Sequence, residues 1–463
     1  MELNTLEDLK KYKTIHLIGI GGISMSAIAE ELKNWGFNVT GSDTTKSDLT
    51  DKLISHGISV SIGHDVEKAK NADLIVYSAA IGETDPERVA AKECGIPEII
   101  RGDFVGYLTK LYKETICISG THGKTTTTSM LSICFIKAHM DPTIEVGAIL
   151  HNIGGNYRIG NSDFFILESC EYSASFLAFF PTCEVILNID NDHLDFYKTF
   201  DNIVKAFNSF AEKLPDNGLL VTNADDENCL KLKEHTKAKF ITYGIENKDA
   251  NYVATNISYD DDGFPTFDVL YNKQEFGTFS LKVTGIHNVL NALATIAVAH
   301  YYGIDTDIIK ESFSEFTGAG RRVEYKGTLP NGAPVFDDYA HHPTEIKAVA
   351  KAIRNKSYNE SWAIFQPHTY SRTKLLLDDF VDALNCFDHI VLVDIYAARE
   401  KNTYGISSKD LSDKINELYP EKSLYLPSFD DVVDYIKENA KEDDLVLTVG
   451  AGTVTNIGPM LTK

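Results

Sequence analysis

No apolar run in this 463-residue chain approaches the length of a membrane span, and its start, MELNTLEDLKKYK, is charged. The sequence therefore predicts neither a secretory leader nor a membrane anchor. Cysteine is scarce: seven residues, at 94, 117, 134, 170, 183, 229 and 386, without a paired framework or zinc-type spacing. That pattern excludes a disulfide-stapled domain and predicts a reducing, cytoplasmic setting. Positive charge is in the minority, with 44 Lys and Arg against 67 Asp and Glu, a net −23. Such a deficit excludes a non-specific nucleic-acid binder, which needs a basic face. Anionic small molecules stay open, because local loops can still present cations. Short internal repeats and low-complexity stretches are missing as well. What remains is 43% hydrophobic and 24% charged, a globular composition whose length predicts about three domains.

Strands alternate with helices in three α/β blocks, predicted as domains over residues 1–113, 114–320 and 321–463. The first has strands at TIHLIGI (14–20), NVTGSD, ADLIVYSAA (72–80) and EIIRGD (98–103). Helices between them imply a parallel, doubly wound, Rossmann-like sheet. Gly19-Ile20-Gly21-Gly22, followed by Asp43, has the form of a dinucleotide-binding turn, although Ser24 stands where a third glycine or alanine belongs. Alone, this turn says only that a phosphate or nucleotide binds there.

The second block opens at ETICISG (114–120) and continues with strands at 163–169, 184–190, 218–223 and 239–244. Tyr252 to Val283 then alternates apolar and polar residues around Asp262-Gly263, which predicts antiparallel hairpins. The third block starts near Arg321 and repeats the alternation from VFDDYA to LVLTVGAG, giving a second Rossmann-like pattern.

Within ICISGTHGKTTTTSML (116–131), Gly-x-x-Gly-Lys-Thr follows a strand and opens a helix. This resembles a Walker A loop, where backbone N–H groups cradle phosphate, the lysine reaches the outer phosphates and the hydroxyl, here Thr125, binds Mg²⁺. The loop is shortened: Ile118 occupies the place of the usual first glycine. Glu168 and Glu171 follow the next strand, and Asp190, Asp192, His193 and Asp195 the one after. In a parallel sheet these strand ends share one edge with the loop. Each acid alone is an ordinary solvated loop residue. Together they can hold a metal against a γ-phosphate and an acceptor carboxylate.

GIGGISMS (19–26), GTHGKTTTT (120–128), CEYSASFL (170–177), NDHLD (191–195), HNVLNALA (287–294), RRVEYKG (321–327), DDYAHHPTEI (337–346) and FQPHTYSRT (365–373) occur in this order. With these motifs the chain resembles the Mur ligases, in particular their alanine-adding members. The resemblance implies an N-terminal Rossmann-like domain for a UDP-sugar, a central P-loop ATPase-like domain with a mixed sheet, and a C-terminal Rossmann-like domain for the amino acid. It further implies an ATP- and Mg²⁺-dependent enzyme of peptidoglycan precursor synthesis. Such an enzyme joins L-alanine to the lactyl carboxylate of UDP-N-acetylmuramate through an acyl phosphate.

The same resemblance assigns residues. Gly120, Thr121, His122, Gly123, Lys124, Thr125 and Thr126 would hold the ATP phosphates, with Lys124 neutralising the phosphoryl group in transfer. Glu171 and His193 match the metal-linked glutamate and histidine, beside Thr125. Asn288 and Asn291 match asparagines that meet adenine, and Arg322 an arginine that reaches the phosphates. Asp338 and His341 match domain-interface residues; His342 and Arg372 are assigned to the amino acid or a carboxylate, and His368 stands between that role and a structural one. Gly19, Gly21, Gly22, Ser24, Met25 and Ser26 would receive the UDP pyrophosphate, with Asp43 near ribose or uracil and Ser78 and His64 close by. Three departures stand out. Cys170 and Tyr172 alter the loop beside Glu171, Thr369 replaces an arginine, and Asn217-Gly218 lies where later-step ligases carry a carbamylated lysine. Competing readings are a ligase of murein-peptide recycling, a P-loop NTPase switch and an NAD-dependent dehydrogenase. The dehydrogenase leaves Lys124, Glu171 and His193 idle, and the switch leaves DDYAHHPTEI unexplained. Oligomeric state is not legible.

Overall fold

The computed structural model describes every residue except Met1, Glu2, Asn4, Ala319, Asn355 and Arg399, and for Asp195 it describes the backbone alone. The predicted acid at Asp195 thus lies outside the described side chains. The chain condenses into two compact units: residues 1–191, 199–251 and 294–309 form one, and 192–198, 252–293 and 310–463 the other.

In the first unit, β1 (Thr14–Ile18), β2 (Asn38–Asp43), β3 (Ser59–Ile62), β4 (Leu74–Tyr77) and β5 (Glu98–Ile100) form a parallel sheet in the order β3-β2-β1-β4-β5. The order reverses between β1 and β4, where a doubly wound sheet receives ligands, and Gly19–Gly22 follows β1 at that point. EIIRGD is strand only to Ile100; a helix, Arg101–Thr109, takes over at once.

The same unit holds β6 (Glu114–Ser119), β7 (Thr143–Leu150), β8 (Gly155–Arg158), β9 (Phe164–Glu168), β10 (Cys183–Ile186), β11 (Leu219–Asn223) and β12 (Lys239–Gly244). They run in the order β12-β11-β10-β6-β9-β7-β8, parallel apart from β8. β6 lies between β9 and β10, so the loop after β6 opens at a second reversal of strand order. The sequence reading did not foresee β3, β7 or β8.

The second unit contains the predicted hairpins as an antiparallel meander, β13 (Tyr252–Tyr259), β14 (Pro265–Tyr271) and β15 (Gln274–Ser280). Asn272 and Lys273 turn its second hairpin with φ of 50° and 67°, the left-handed pair that matches strand twist. β16 (Glu324–Thr328), β17 (Pro334–Asp338), β18 (Ser361–Phe365), β19 (His389–Leu392), β20 (Ser423–Tyr425) and β21 (Leu445–Val449) follow, ordered β16-β17-β21-β18-β19-β20. Only the β16–β17 pairing is antiparallel. Side-chain alternation along β18 builds both cores: Ala363 and Phe365 pack with Ile346, Phe380 and Leu411, whereas Trp362 and Ile364 pack with Val432, Ile436 and Ile457. Among the described residues no helix is long and apolar enough to cross a membrane.

Candidate active site

β6 is buried beyond its first residue and feeds straight into the glycine loop. Gly120 takes φ of 133°, and a Cβ there would lie 3.0 Å from Leu187 Cβ and 3.1 Å from the Asn188 backbone nitrogen. Both conformation and space demand glycine. Gly123, at φ 89°, is the N-cap of the 14-residue helix Lys124–Lys137, and no side chain caps it. The helix thus starts with its positive dipole end and first-turn N–H groups uncapped, the arrangement that suits phosphate.

The segment after β10 clamps this loop. The His122 N–H donates to Asn188 Oδ1 (2.8 Å), and Asn188 Nδ2 donates back to the His122 carbonyl (2.9 Å). The Asp190 N–H donates to Thr121 Oγ1 (2.9 Å), and the His122 ring Nε2 lies 2.9 Å from Asp190 Oδ2. Thr126 is buried in the first turn of the helix.

Two carboxylates serve different loop residues. Lys124 Nζ lies 2.9 Å from Glu171 Oε2 and donates to the carbonyls of Gly120 (2.5 Å) and Thr121 (3.1 Å). Burial alone would depress the lysine pKa; Glu171, with Cys170 and Glu168 behind it, outweighs burial and keeps the ammonium form. Thr125 Oγ1 donates instead to Glu168 Oε2 at 3.1 Å, and the Gly147 N–H of β7 donates to Glu168 Oε1 at 2.5 Å. The reason is register. Glu168 ends β9 opposite Ile118 of β6, whereas Glu171, three residues on, turns back onto Lys124. Thr125 thus hydrogen-bonds Glu168, while Glu171, the glutamate that the family resemblance gives to the metal, holds Lys124. One hydroxyl and two carboxylates form the hard-oxygen set that Mg²⁺ prefers.

At the first turn, Gly19 has φ of 82° and Gly22 starts the helix Ile23–Asn34 without a side-chain cap. Asp43, expected near ribose or uracil, instead accepts from the Gly21 N–H (2.9 Å) and the Thr45 N–H (3.0 Å), bracing the turn. Met25 and Ser26 are buried, and Ser26 donates to the Ile23 carbonyl, so both face the fold. Ser24 donates to Glu145 of β7 and accepts from Arg101 Nη1 at 3.1 Å. Ser78 continues β4 and donates its N–H to Ile18. His64 is half exposed, 3.5 Å from Asp85. Further along the same helix, buried Glu31 accepts from Tyr112 and Tyr157, both at 2.6 Å.

In the second unit, His193 has φ of 56° and donates its N–H to Asp192 Oδ1 (2.7 Å). Asp192 pairs with Arg372 at 2.9 Å, and Arg372 also contacts His368 Nδ1 at 3.2 Å. Burial works against the Asp192 charge, but Arg372 and the nearby histidines hold its pKa far below the usual range. Burial, with Arg372 adding to it, pushes His341 down to about 4 and His368 down to about 3, so both rings are neutral. His341 Nδ1 also lies 3.3 Å from Glu345. Asp338 accepts from the Val323 N–H (2.8 Å) and the Ala340 N–H (2.7 Å), and burial pushes it up to about 6. Of the two arginines, Arg321 is tied to Asp337 (2.9 Å), whereas Arg322 stands 5.5 Å over the Tyr339 ring. His342 caps the helix Pro343–Ile353 through Nδ1, a structural task. Asn288 and Asn291 are buried neighbours, with Asn291 Nδ2 donating to Asn288 Oδ1 at 3.0 Å and Asn288 Nδ2 to the Thr284 carbonyl at 2.8 Å. Thr369 caps the helix Tyr370–Leu375 at φ 65°.

Sequence reading missed Asn188, Glu145 and Arg101. Asn188 lies in the NID run, whose acids carry the motif signal, and Arg101 falls within EIIRGD, which the pattern predicts as strand.

Family models match the chain in three segments: residues 14–113 (Mur ligase family, catalytic domain), 118–299 (Mur ligase middle domain) and 321–452 (Mur ligase, glutamate ligase domain). A UDP-N-acetylmuramate–L-alanine ligase from Acetivibrio thermocellus is 46% identical over 463 residues, all of this chain and 98% of the relative. One from Clostridium botulinum is 50% identical over 451 residues, 97% of each. The solved UDP-N-acetylmuramate-alanine ligase MurC from Thermotoga maritima superimposes with a TM-score of 0.81 at 29% identity, covering 97% of this chain and 98% of the other. A murein peptide ligase from Psychrobacter arcticus, at 23% identity and a TM-score of 0.71 over 97% of this chain and 98% of that one, shares the fold. With a phosphate loop built as described, and with relatives and family models matching along its length, the chain belongs to the Mur ligase family.

Proposed function

We propose that this chain joins L-alanine to the lactyl carboxylate of UDP-N-acetylmuramate, with ATP as the energy source. The observation that carries the reading is the Gly120–Thr126 loop, with Lys124 on Glu171 and Thr125 on Glu168. It sits in a chain nearly half identical, end to end, to relatives bearing that activity as their name.

The chemistry follows from the parts. A carboxylate is a poor acyl donor because oxide is a poor leaving group. Transfer of the ATP γ-phosphoryl group makes an acyl phosphate, and the neutral amine of alanine then displaces phosphate. The uncapped helix start and the Lys124 ammonium stabilise charge on the group in transfer. Thr125, Glu168 and Glu171 would hold Mg²⁺, which would neutralise phosphate charge. His193, Arg322 and His341 as reaction residues, Asp338 with Arg322 at ATP, Asn288 and Asn291 for adenine, and His342 and Arg372 for the amino acid rest on the family motifs alone. Gly19, Gly22 and Ser24 serve the sugar nucleotide. We assign the sugar domain to residues 1–113, the ATP domain to 114–320 and the amino-acid domain to 321–463, and place the enzyme in the cytoplasm.

The test is ADP release with UDP-N-acetylmuramate against a panel of amino acids and the murein tripeptide. The expected result is turnover that requires both the sugar nucleotide and alanine. Preference for the tripeptide would make it a recycling ligase, and hydrolysis indifferent to both would make it a switch.

A further inference from the structure

We infer that Arg101 is a diphosphate-binding residue of the sugar-nucleotide site, and that Ser24 and Glu145 position it. The inference rests on reading the Gly19–Gly22 turn as the sugar-nucleotide turn. Arg101 opens its own helix directly after β5, and its Nη1 donates to Ser24 Oγ at 3.1 Å. Ser24 is the second residue of the helix Ile23–Asn34, whose first turn has no side-chain cap. A guanidinium is therefore held within hydrogen-bond reach of the N-terminal turn that the sugar-nucleotide reading already gives to phosphate.

The hydroxyl of Ser24 has one proton, and it donates that proton to Glu145. Its lone pairs are thereby directed to Arg101, which fixes the fork rather than merely attracting it. Glu145 is contributed by β7, so a residue of the central sheet orients a residue of the first. Among the described residues Ser24 is the only hydrogen-bond partner of the Arg101 guanidinium, which leaves four of its five N–H donors uncommitted. A planar fork beside an uncapped helix start matches a diphosphate better than a single ammonium would. If Arg101 only balances the half-buried Glu145 carboxylate, the outcome differs: its loss would weaken all ligands of the site alike.

The experiment measures binding of uridine, UDP and UDP-N-acetylmuramate to the wild-type chain, Arg101→Met and Arg101→Lys, with ATP affinity as the check on folding. Arg101→Met should lose roughly 10- to 100-fold for UDP and UDP-N-acetylmuramate, the loss of a charge-assisted pair, with uridine unchanged. Arg101→Lys should recover part of that loss. Equal losses for uridine and UDP, or no loss for UDP, overturn the inference while leaving the sugar-nucleotide reading intact. A wild-type chain that binds none of the three overturns both. Should Arg101→Met lose ATP binding, the comparison rests on Arg101→Lys: a selective UDP deficit supports the inference and a uniform one removes it.

Discussion

Thr125 donates its hydroxyl to Glu168, and Lys124 holds Glu171, so neighbouring loop residues divide the two acids of one strand end between them. This division predicts two distinguishable defects. Glu168→Gln should raise the Mg²⁺ concentration needed for half-maximal turnover at least as much as Glu171→Gln. Glu171→Gln should in addition depress turnover at saturating Mg²⁺, because Lys124 loses its counter-charge. A Mg²⁺ titration that responds to Glu171→Gln alone would assign the metal to Glu171 and leave Glu168 as a brace.

Lys124→Ala removes a positive charge from the phosphoryl group in transfer. Turnover should fall by about 10²- to 10³-fold or more, with the melting temperature little changed. Near-normal ADP release from a folded variant would take the lysine out of the mechanism.

The glycines of the first turn are not equivalent. A Cβ on Gly21 would lie 2.9 Å from Asp43 Oδ2 and 2.9 Å from Thr50 Cγ2, whereas one on Gly22 meets nothing closer than the Gly19 carbonyl at 3.4 Å. Gly21→Val should therefore lower the melting temperature by disrupting the turn itself. Gly22→Ala should fold normally and bind UDP-N-acetylmuramate more weakly, ATP affinity staying as it was. Loss of ATP binding in a folded Gly22→Ala chain would contradict the assignment of the two turns.

Glu31 gives the stability a pH dependence of definite sign. Burial pushes its pKa up from 4.5 to about 7 against the pull of the hydroxyls of Tyr112 and Tyr157. Because the folded value lies above the unfolded one, its contribution is fully present below about pH 4.5 and is lost as pH rises towards 7. A shift of this size corresponds to roughly 3 kcal/mol. Glu31→Gln should flatten that decline, so the melting-temperature difference between variant and wild type should change between about pH 5 and pH 8. A constant difference would show that Glu31 does not titrate there.

Much of this was legible in the sequence because strands buried on both faces read as apolar runs, and glycines punctuate them. TICIS and VILNID declared themselves in this way. β3 did not: SVSI is a four-residue strand that is nowhere fully buried, so burial left no hydrophobic signature. β7 (TIEVGAIL) carries Glu145 and Gly147 where a core strand would place apolar residues, because those positions serve Ser24 and Glu168. Motif spacing identified the P-loop but not its partner acid, since that depends on the β6–β9 register, a long-range property. His342 and Asp43 show what motif position leaves unsaid: the His342 side chain also caps a helix, and the Asp43 carboxylate braces the glycine turn.

The strand Thr143–Leu150 also bears on where this chain can be cut. A fragment ending at residue 113 would keep the Gly19–Gly22 turn and Tyr112. It would strip Ser24 of Glu145 and leave Glu31 without Tyr157, exposing a helix face built to be covered. Residues 1–113 are thus a separate block in sequence whose first long helix leans on β7 and β8, and a fusion or truncation intended to isolate that block should retain the chain through Arg158, the end of β8.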